Sequence, residues 1–198
     1  EYSWWDGSRQ RGSIGRGYLV AWPGLIREWS QAMAREPLNE SDPDPGLQFR
    51  DAYFSPVAHS MRRKAAAAFL RTHLRRMKRA ARAHLELAAK HYEESAAASD
   101  SLFEALCGVE AVRGLDWYRR LQAGPSYHGE GEDGKAAAAA FATRHPDRWK
   151  ARRAVMRRMH QSLTNAKTVD QACQAADGIL THDDAAIAEI EKALAALG

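Results

Sequence analysis

Four histidines, His59, His73, His84 and His91, recur along one stretch of the chain, and histidine is the side chain best suited to proton transfer or metal ligation near neutral pH. Their separations of 14, 11 and 7 residues correspond to about 21, 16 and 10 Å of helical rise, too far for any two to share an ion. A metal centre built on them needs a ligand from another helix, with His145, His160 and His182 as candidates, or from Glu94, three residues after His91. Neither Glu-x-x-His nor His-Glu-x-x-His occurs, so the signatures of di-metal carboxylate bundles and zinc peptidases are missing. The expectation is that the histidines serve the core, hydrogen-bonded to backbone or neighbouring acids. No cofactor or metal ligand set is assigned, and a histidine-based metal or cofactor bundle stands third among three functional readings.

Other familiar chemistry fares no better. Residues 129–134, Gly-Glu-Gly-Glu-Asp-Gly, fit G-x-G-x-x-G, and Lys135 follows, but Ala136 stands where a P-loop needs Ser or Thr. Three carboxylates there repel the anion that such a loop must cradle, and no strand precedes it. Cys107 and Cys173 lie among small and apolar residues, the setting of buried free thiols rather than activated nucleophiles. No Gly-x-Ser-x-Gly elbow occurs. The acid pairs Glu93-Glu94 and Asp183-Asp184 are expected at helix ends, where capping and solvation account for them. None of these motifs argues for an enzyme, so the question of catalysis stays open with a non-enzymatic role the leading expectation.

Basic residues carry the stronger signal. Nine Lys or Arg and no acid lie between Arg62 and Arg82. Arg71, Arg75, Lys78, Arg79 and Arg82 form one expected ridge, and Arg148, Arg152, Arg153, Arg157 and Arg158 a second. Arg9, Arg11 and Arg16 sit in a Gly-rich segment flanked by Tyr2, Trp4, Trp5, Tyr18 and Trp22, a mixture that can stack on bases and grip phosphates. Ridges without acids cannot be neutralised within their own helix. They must pair with acidic helices, with an acidic protein partner, or with a polyanion such as nucleic acid, whose binding would weaken steeply with salt.

The elements that position these residues are helical. Residues 56–97 contain no Gly and only the leading Pro56, are rich in Ala, Leu, Arg and Lys, and read as one long helix. Leu70, Leu74, Met77, Ala81, Leu85, Ala88 and Tyr92 share one face at about 100° per residue. A first helix is expected from Pro23 to before Pro37, and residues 37–46, with three prolines, form a connector. A break at Ser99–Asp100 with a capping box at Ser101 would open the next helix, which carries Leu102, Leu106, Val109 and Trp117 inward until an acidic loop at 123–134. Residues 135–144 are alanine-rich, His145-Pro146 restarts the helix, and Trp149, Met156, His160 and Leu163 form its apolar stripe. A helix from Thr168 to Gly178 and a last one capped by Thr181, with Ile187, Ile190, Leu194 and Leu197 in 3-4-3 spacing, complete the chain.

The 198 residues thus predict an all-α, elongated antiparallel bundle of about five helices built around one long helix, with an irregular aromatic arm at 1–22 and the bundle at 23–198. Net charge alternates along the chain: −1 over 1–50, +6 over 51–98, −4 over 99–134, +8 over 135–167 and −5 over 168–198. Charge-matched helix packing is therefore the first use to expect for the cations. No apolar run reaches the length of a membrane span. Glu1 rather than Met at the start is the expected mark of upstream processing or truncation, and it leaves the compartment open, export included. The leading functional expectation is a structural or adaptor component of a protein assembly that docks through the aromatic arm and basic faces. Nucleic-acid binding through the same residues is the alternative.

Overall fold

The computed structural model describes residues 16–35, 47–108, 136, 139–140 and 142–197. Expectations for the arm before Arg16, the 37–46 connector and the 109–135 segment lie outside the described residues. Among the described residues the helices with set bounds are α1 (Arg16–Arg35), α2 (Leu47–His73), α3 (Arg79–Cys107), α4 (Pro146–Leu163) and α5 (Ala166–Ala195), with a 3₁₀ turn at Leu74–Arg76, and residues 142–144 ahead of α4 are helical as well. There is no strand among the described residues. The all-α antiparallel bundle is the fold, and α3 is its central member, packed against α5, α2 and α4.

The expected single helix over 56–97 is instead a hairpin. Met77 (φ −89°, ψ 149°) and Lys78 (φ −56°, ψ 145°) leave the helical region, and the chain reverses between α2 and α3. Neither residue is Gly or Pro, so the break is tertiary in origin. Like charges crowd every turn from Arg71 to Arg82, which disfavours a continuous helix there. Folding back brings Arg71 to Glu93 and Lys64 to Asp100, both at 2.7 Å, and gives the apolar stripe of each arm a partner.

Two expected breaks are absent. α3 runs through Ser99 and Ser101 to Cys107, because Ser99 satisfies its own hydroxyl on the Ser95 carbonyl (2.9 Å) and stays in the core. α5 runs through Gly178 and Thr181, whose hydroxyl donates back to the Asp177 carbonyl (2.9 Å) rather than capping a new helix. α1 begins at Arg16 and carries Pro23 inside it, so the last seven residues of the expected arm are helical, with Leu19 and Trp22 buried in the core. His145 and Pro146 do restart the chain as expected, with Pro146 in the first turn of α4.

The two ends of the bundle are built differently. At one end Leu19, Trp22 and Ile26 of α1, Leu102, Phe103 and Leu106 of α3, Met156, Met159 and Leu163 of α4, and Val169 and Ile179 of α5 form a core of large side chains. Toward the hairpin turn the buried apolar side chains are small: Ala81, Ala88, Ala89 and Ala96 of α3 and Ala186 and Ala193 of α5. Small side chains let these two antiparallel helices approach closely, and they leave larger neighbours outside: Ile187 and Leu194, expected in the stripe of α5, are exposed (45% and 63%).

Candidate functional site

Asp183 lies in the middle of α5, not at a helix end, and is 3% exposed. It sits on the 3-4-3-4-3 series Ala176, Ile179, Asp183, Ala186, Ile190, Ala193, which turns it toward α2 and α3. Arg63 of α2 reaches it with Nε at 2.8 and 3.1 Å and Nη2 at 2.6 Å, a bidentate clamp. Ser95 of α3 donates its hydroxyl to Oδ1 at 2.7 Å. That hydroxyl has one proton, so the contact between His59 Nε2 and Ser95 Oγ (3.3 Å) is donated by the imidazole, which therefore carries hydrogen on Nε2. The same nitrogen lies 3.5 Å from Asp183 Oδ2. Burial pushes the Asp183 carboxyl up, but hydrogen bonds from His59, Arg63 and Ser95, with the charge of Arg63, outweigh it and hold the group below its ordinary value. Arg63 also lies over the Tyr92 ring, 5.2 Å from its centroid. An ionised carboxylate with every lone pair directed at a donor suits cross-bracing of three helices.

Beside this centre, one turn from Ser95 on α3 and one residue before Asp183 on α5, the two helices meet through histidines. His91 Nδ1 lies 3.0 Å and His182 Nδ1 3.2 Å from the same oxygen, Oε2 of Glu94. The two rings stack with centroids 6.0 Å apart and planes 26° apart. Both imidazoles then hold hydrogen on Nδ1 and donate to one carboxylate, whose other oxygen is 3.7 Å from Lys90 Nζ. All three ligand atoms lie within 4.8 Å of one another, and the residues are half-buried. His84 makes a simpler bridge to Glu189 at 2.7 Å, shared with Lys192 at 2.5 Å. His73, at the end of α2, bonds the Phe69 carbonyl (2.8 Å) and packs on the Phe69 ring. His59, His84 and His182 thus end on oxygens of another helix, His73 and His91 on oxygens of their own, and the buried Nε2 of His160 meets no partner among the described residues.

The first basic ridge lies on the hairpin turn. Arg71 is engaged by Glu93, whose hydrogen bond raises the guanidinium and lowers the carboxyl relative to their ordinary values. Lys78 reaches the Leu197 carbonyl just beyond α5 (3.0 Å), where a cation meets the negative end of the helix, and Arg82 reaches the Met77 carbonyl (3.4 Å). Arg75, Arg76 and Arg79 are exposed and have no acidic partner among the described residues. Of the second ridge, the side chains of Arg153, Arg157 and Arg158 are described. Arg153 and Arg157 line a cleft of about 280 Å³ with Trp149, Lys150, Ala142 and Pro146. Arg158 lies instead over Gly108, so close that a Cβ there would sit 3.4 Å from its Nε. The backbones of Arg16, Arg148 and Arg152 are helical, and Arg9 and Arg11 lie outside the described residues.

Cys107 and Cys173 are both buried and unbridged. Burial raises both thiols, strongly at Cys107, and Cys173 donates to the Pro23 carbonyl at 3.5 Å. Neither is an activated nucleophile.

Sequence reasoning named His91, Glu94 and His182 as residues that could converge but had no way to choose among three partner histidines. It missed the Asp183 centre. The signal that could have found it is an acid inserted at a stripe position between Ile179 and Ala186, because such an acid must be paired in three dimensions. A scan against protein-family models, a search of curated proteins and a search of solved structures each returned no match to this chain.

Proposed function

We propose that this protein is a non-enzymatic adaptor or structural component of a larger assembly, docking an acidic protein surface on the α2–α3 hairpin turn. The observation that supports this most is the division of its cations. Arg63, Lys64 and Arg71 are matched to Asp183, Asp100 and Glu93 across helices, whereas Arg75, Arg76 and Arg79, at the turn itself, meet no acid among the described residues. Large apolar side chains stand exposed on the same half of the bundle, with Phe69 at 62% and Leu87 at 46%. A positive tip beside exposed apolar groups matches the mixed chemistry of a protein interface, where charge steers encounter and apolar contact supplies area. The elongated antiparallel bundle carries this tip at the end opposite its large-residue core.

Nucleic-acid binding is retained as a second reading on one observation, the cleft that places Trp149 beside Lys150, Arg153 and Arg157. One experiment separates the two. The wild-type chain and the charge-reversed triple variant Arg75→Glu, Arg76→Glu, Arg79→Glu are titrated with duplex and single-stranded nucleic acid at two salt concentrations. Both are also used to capture and identify proteins from cell extract, with helix content checked by circular dichroism. Capture of proteins through acidic surfaces by the wild type, lost in the triple variant, with no nucleic-acid binding, is the expected result. Nucleic-acid affinity that falls steeply with salt puts the second reading in its place. Identical capture by both chains removes the hairpin turn as the docking surface.

A further inference from the structure

We infer that His91, Glu94 and His182 form a binding site for a divalent transition-metal ion, and that Zn²⁺ is the ion whose preferences it fits. Three features carry this. The first is the ligand set: two imidazole nitrogens and one carboxylate oxygen are borderline and hard donors of the kind that select zinc and its neighbours over magnesium or calcium, which prefer oxygen alone. The second is convergence. Both Nδ1 atoms point at the single atom Oε2, at 3.0 and 3.2 Å, and the three atoms span no more than 4.8 Å. Separations of 3.0 and 3.2 Å are those of donor atoms that share one ion at about 2 Å, the ordinary Zn–N and Zn–O length.

The third is placement. His91 and Glu94 are three residues apart on one face of α3, and His182 comes from the antiparallel α5, so backbone geometry already sets the ligand positions. Binding replaces the two Nδ1 protons, which leave to solvent as the rings take hydrogen on Nε2, while Glu94 remains ionised. Lys90, 3.7 Å from the free oxygen of Glu94, is the competing cation and stays outside the ligand set. Three protein ligands leave the fourth zinc position open, and the partial exposure of all three residues gives it access to water or to a ligand from a docked partner. The ion would also fasten α3 to α5 on the half of the bundle where the seam is made of alanine. His84 and Glu189 occupy the same seam, but there Lys192 takes the third place, so that pair makes no site.

The test uses the full chain, without a polyhistidine tag, stripped with chelator and titrated with Zn²⁺ against a chromophoric indicator. One ion per chain is expected in the wild type and in His84→Ala. His91→Ala and His182→Ala should weaken binding by more than the ~10–100-fold that loss of a supporting partner costs a metal site. Co²⁺ on the wild-type chain supplies a reading that needs no variant: intense visible absorption marks four-coordinate binding, and the weak spectrum of the hydrated ion marks none. Wild-type protein that takes up no Zn²⁺ and leaves the Co²⁺ spectrum unchanged overturns the proposal. So does Zn²⁺ uptake that persists at full affinity when His91 and His182 are both replaced.

Discussion

At the scale of single residues, stability on the hairpin half rests on Asp183. Removing its charge as Asp183→Asn leaves Arg63 with a neutral partner beside a largely buried seam, and breaking a buried pair in this way costs on the order of 3–5 kcal/mol. Arg63 retains some exposure, 28% of its side chain, so the lower end, about 3 kcal/mol, is expected from urea unfolding. The same carboxyl gives the protein an acid limit. Its folded value lies below the ordinary 3.8, so its contribution is complete above that value and fades as pH falls through the lower, folded one. The urea unfolding midpoint of Asp183→Asn should therefore change less with pH below about 4 than that of the wild type. Equal slopes in the two proteins would show that Asp183 does not control this limit. Two glycines offer a contrast of sign. Gly108 closes α3 at φ 89°, ψ 157°, a region nearly exclusive to glycine, with Arg158 against it; Gly108→Ala should cost about 1–3 kcal/mol. Gly178 has an ordinary helical conformation, and a Cβ there would meet the Ala98 Cβ at 3.6 Å, normal contact. Gly178→Ala should raise stability by about 0.5–1 kcal/mol, read in the same denaturant series.

At the scale of elements, what the sequence made legible and what it hid divide along a physical line. Helix type was readable because the apolar spacing is long and regular: the face Ala81, Leu85, Ala88, Tyr92 continues in α3 through Ser95, Ser99, Leu102 and Leu106. The hairpin turn was hidden because neither Met77 nor Lys78 is a helix breaker; the reversal comes from charge crowding and the gain from pairing two helices, neither of which is local. The seam of α5 was misread for a related reason. Ile187 and Leu194 look like core in a hydrophobicity pattern, yet the close approach of α3 and α5 selects Ala186 and Ala193 and excludes them. Alanine is a weak signal of burial but a strong one of distance. Ser99 reads as a break and Asp183 as a helix end in the sequence, although Ser95, Ser99 and Asp183 lie inside α3 and α5 and make the buried polar contacts there. Of the four histidines expected along one helix, His59 and His73 belong to α2 and His84 and His91 to α3, and only the antiparallel pairing with α5 decides that His182 rather than His145 or His160 meets His91.

At the scale of the whole molecule, the two kinds of core imply two levels of local stability. Burying a Leu, Ile or Phe contributes roughly 1.5–3 kcal/mol, and alanine far less, so the end built on Leu102, Phe103, Leu106, Met159 and Ile179 should open only with global unfolding. The hairpin half depends on alanine contacts, the Asp183 centre and the exposed pairs Arg71–Glu93 and Lys64–Asp100, which are weak in water and screened by salt. Native-state hydrogen exchange should accordingly show residues 64–90 exchanging well before residues 97–107 and 169–180. Raising the ionic strength to about 1 M, where screening acts within ~3 Å, should speed the first group and leave the second nearly unchanged. Uniform exchange across α3 would mean that the alanine seam is as stable as the large-residue core and would remove this division. The division also bears on function. The docking end proposed above is then one that a partner can order on binding, and Arg75, Arg76 and Arg79, which meet no acid among the described residues, lie at the segment with most to gain from it. An acidic partner engaging those residues should therefore slow exchange in residues 64–90 selectively, without altering that of the core end, because only the hairpin half has local openings for binding to suppress.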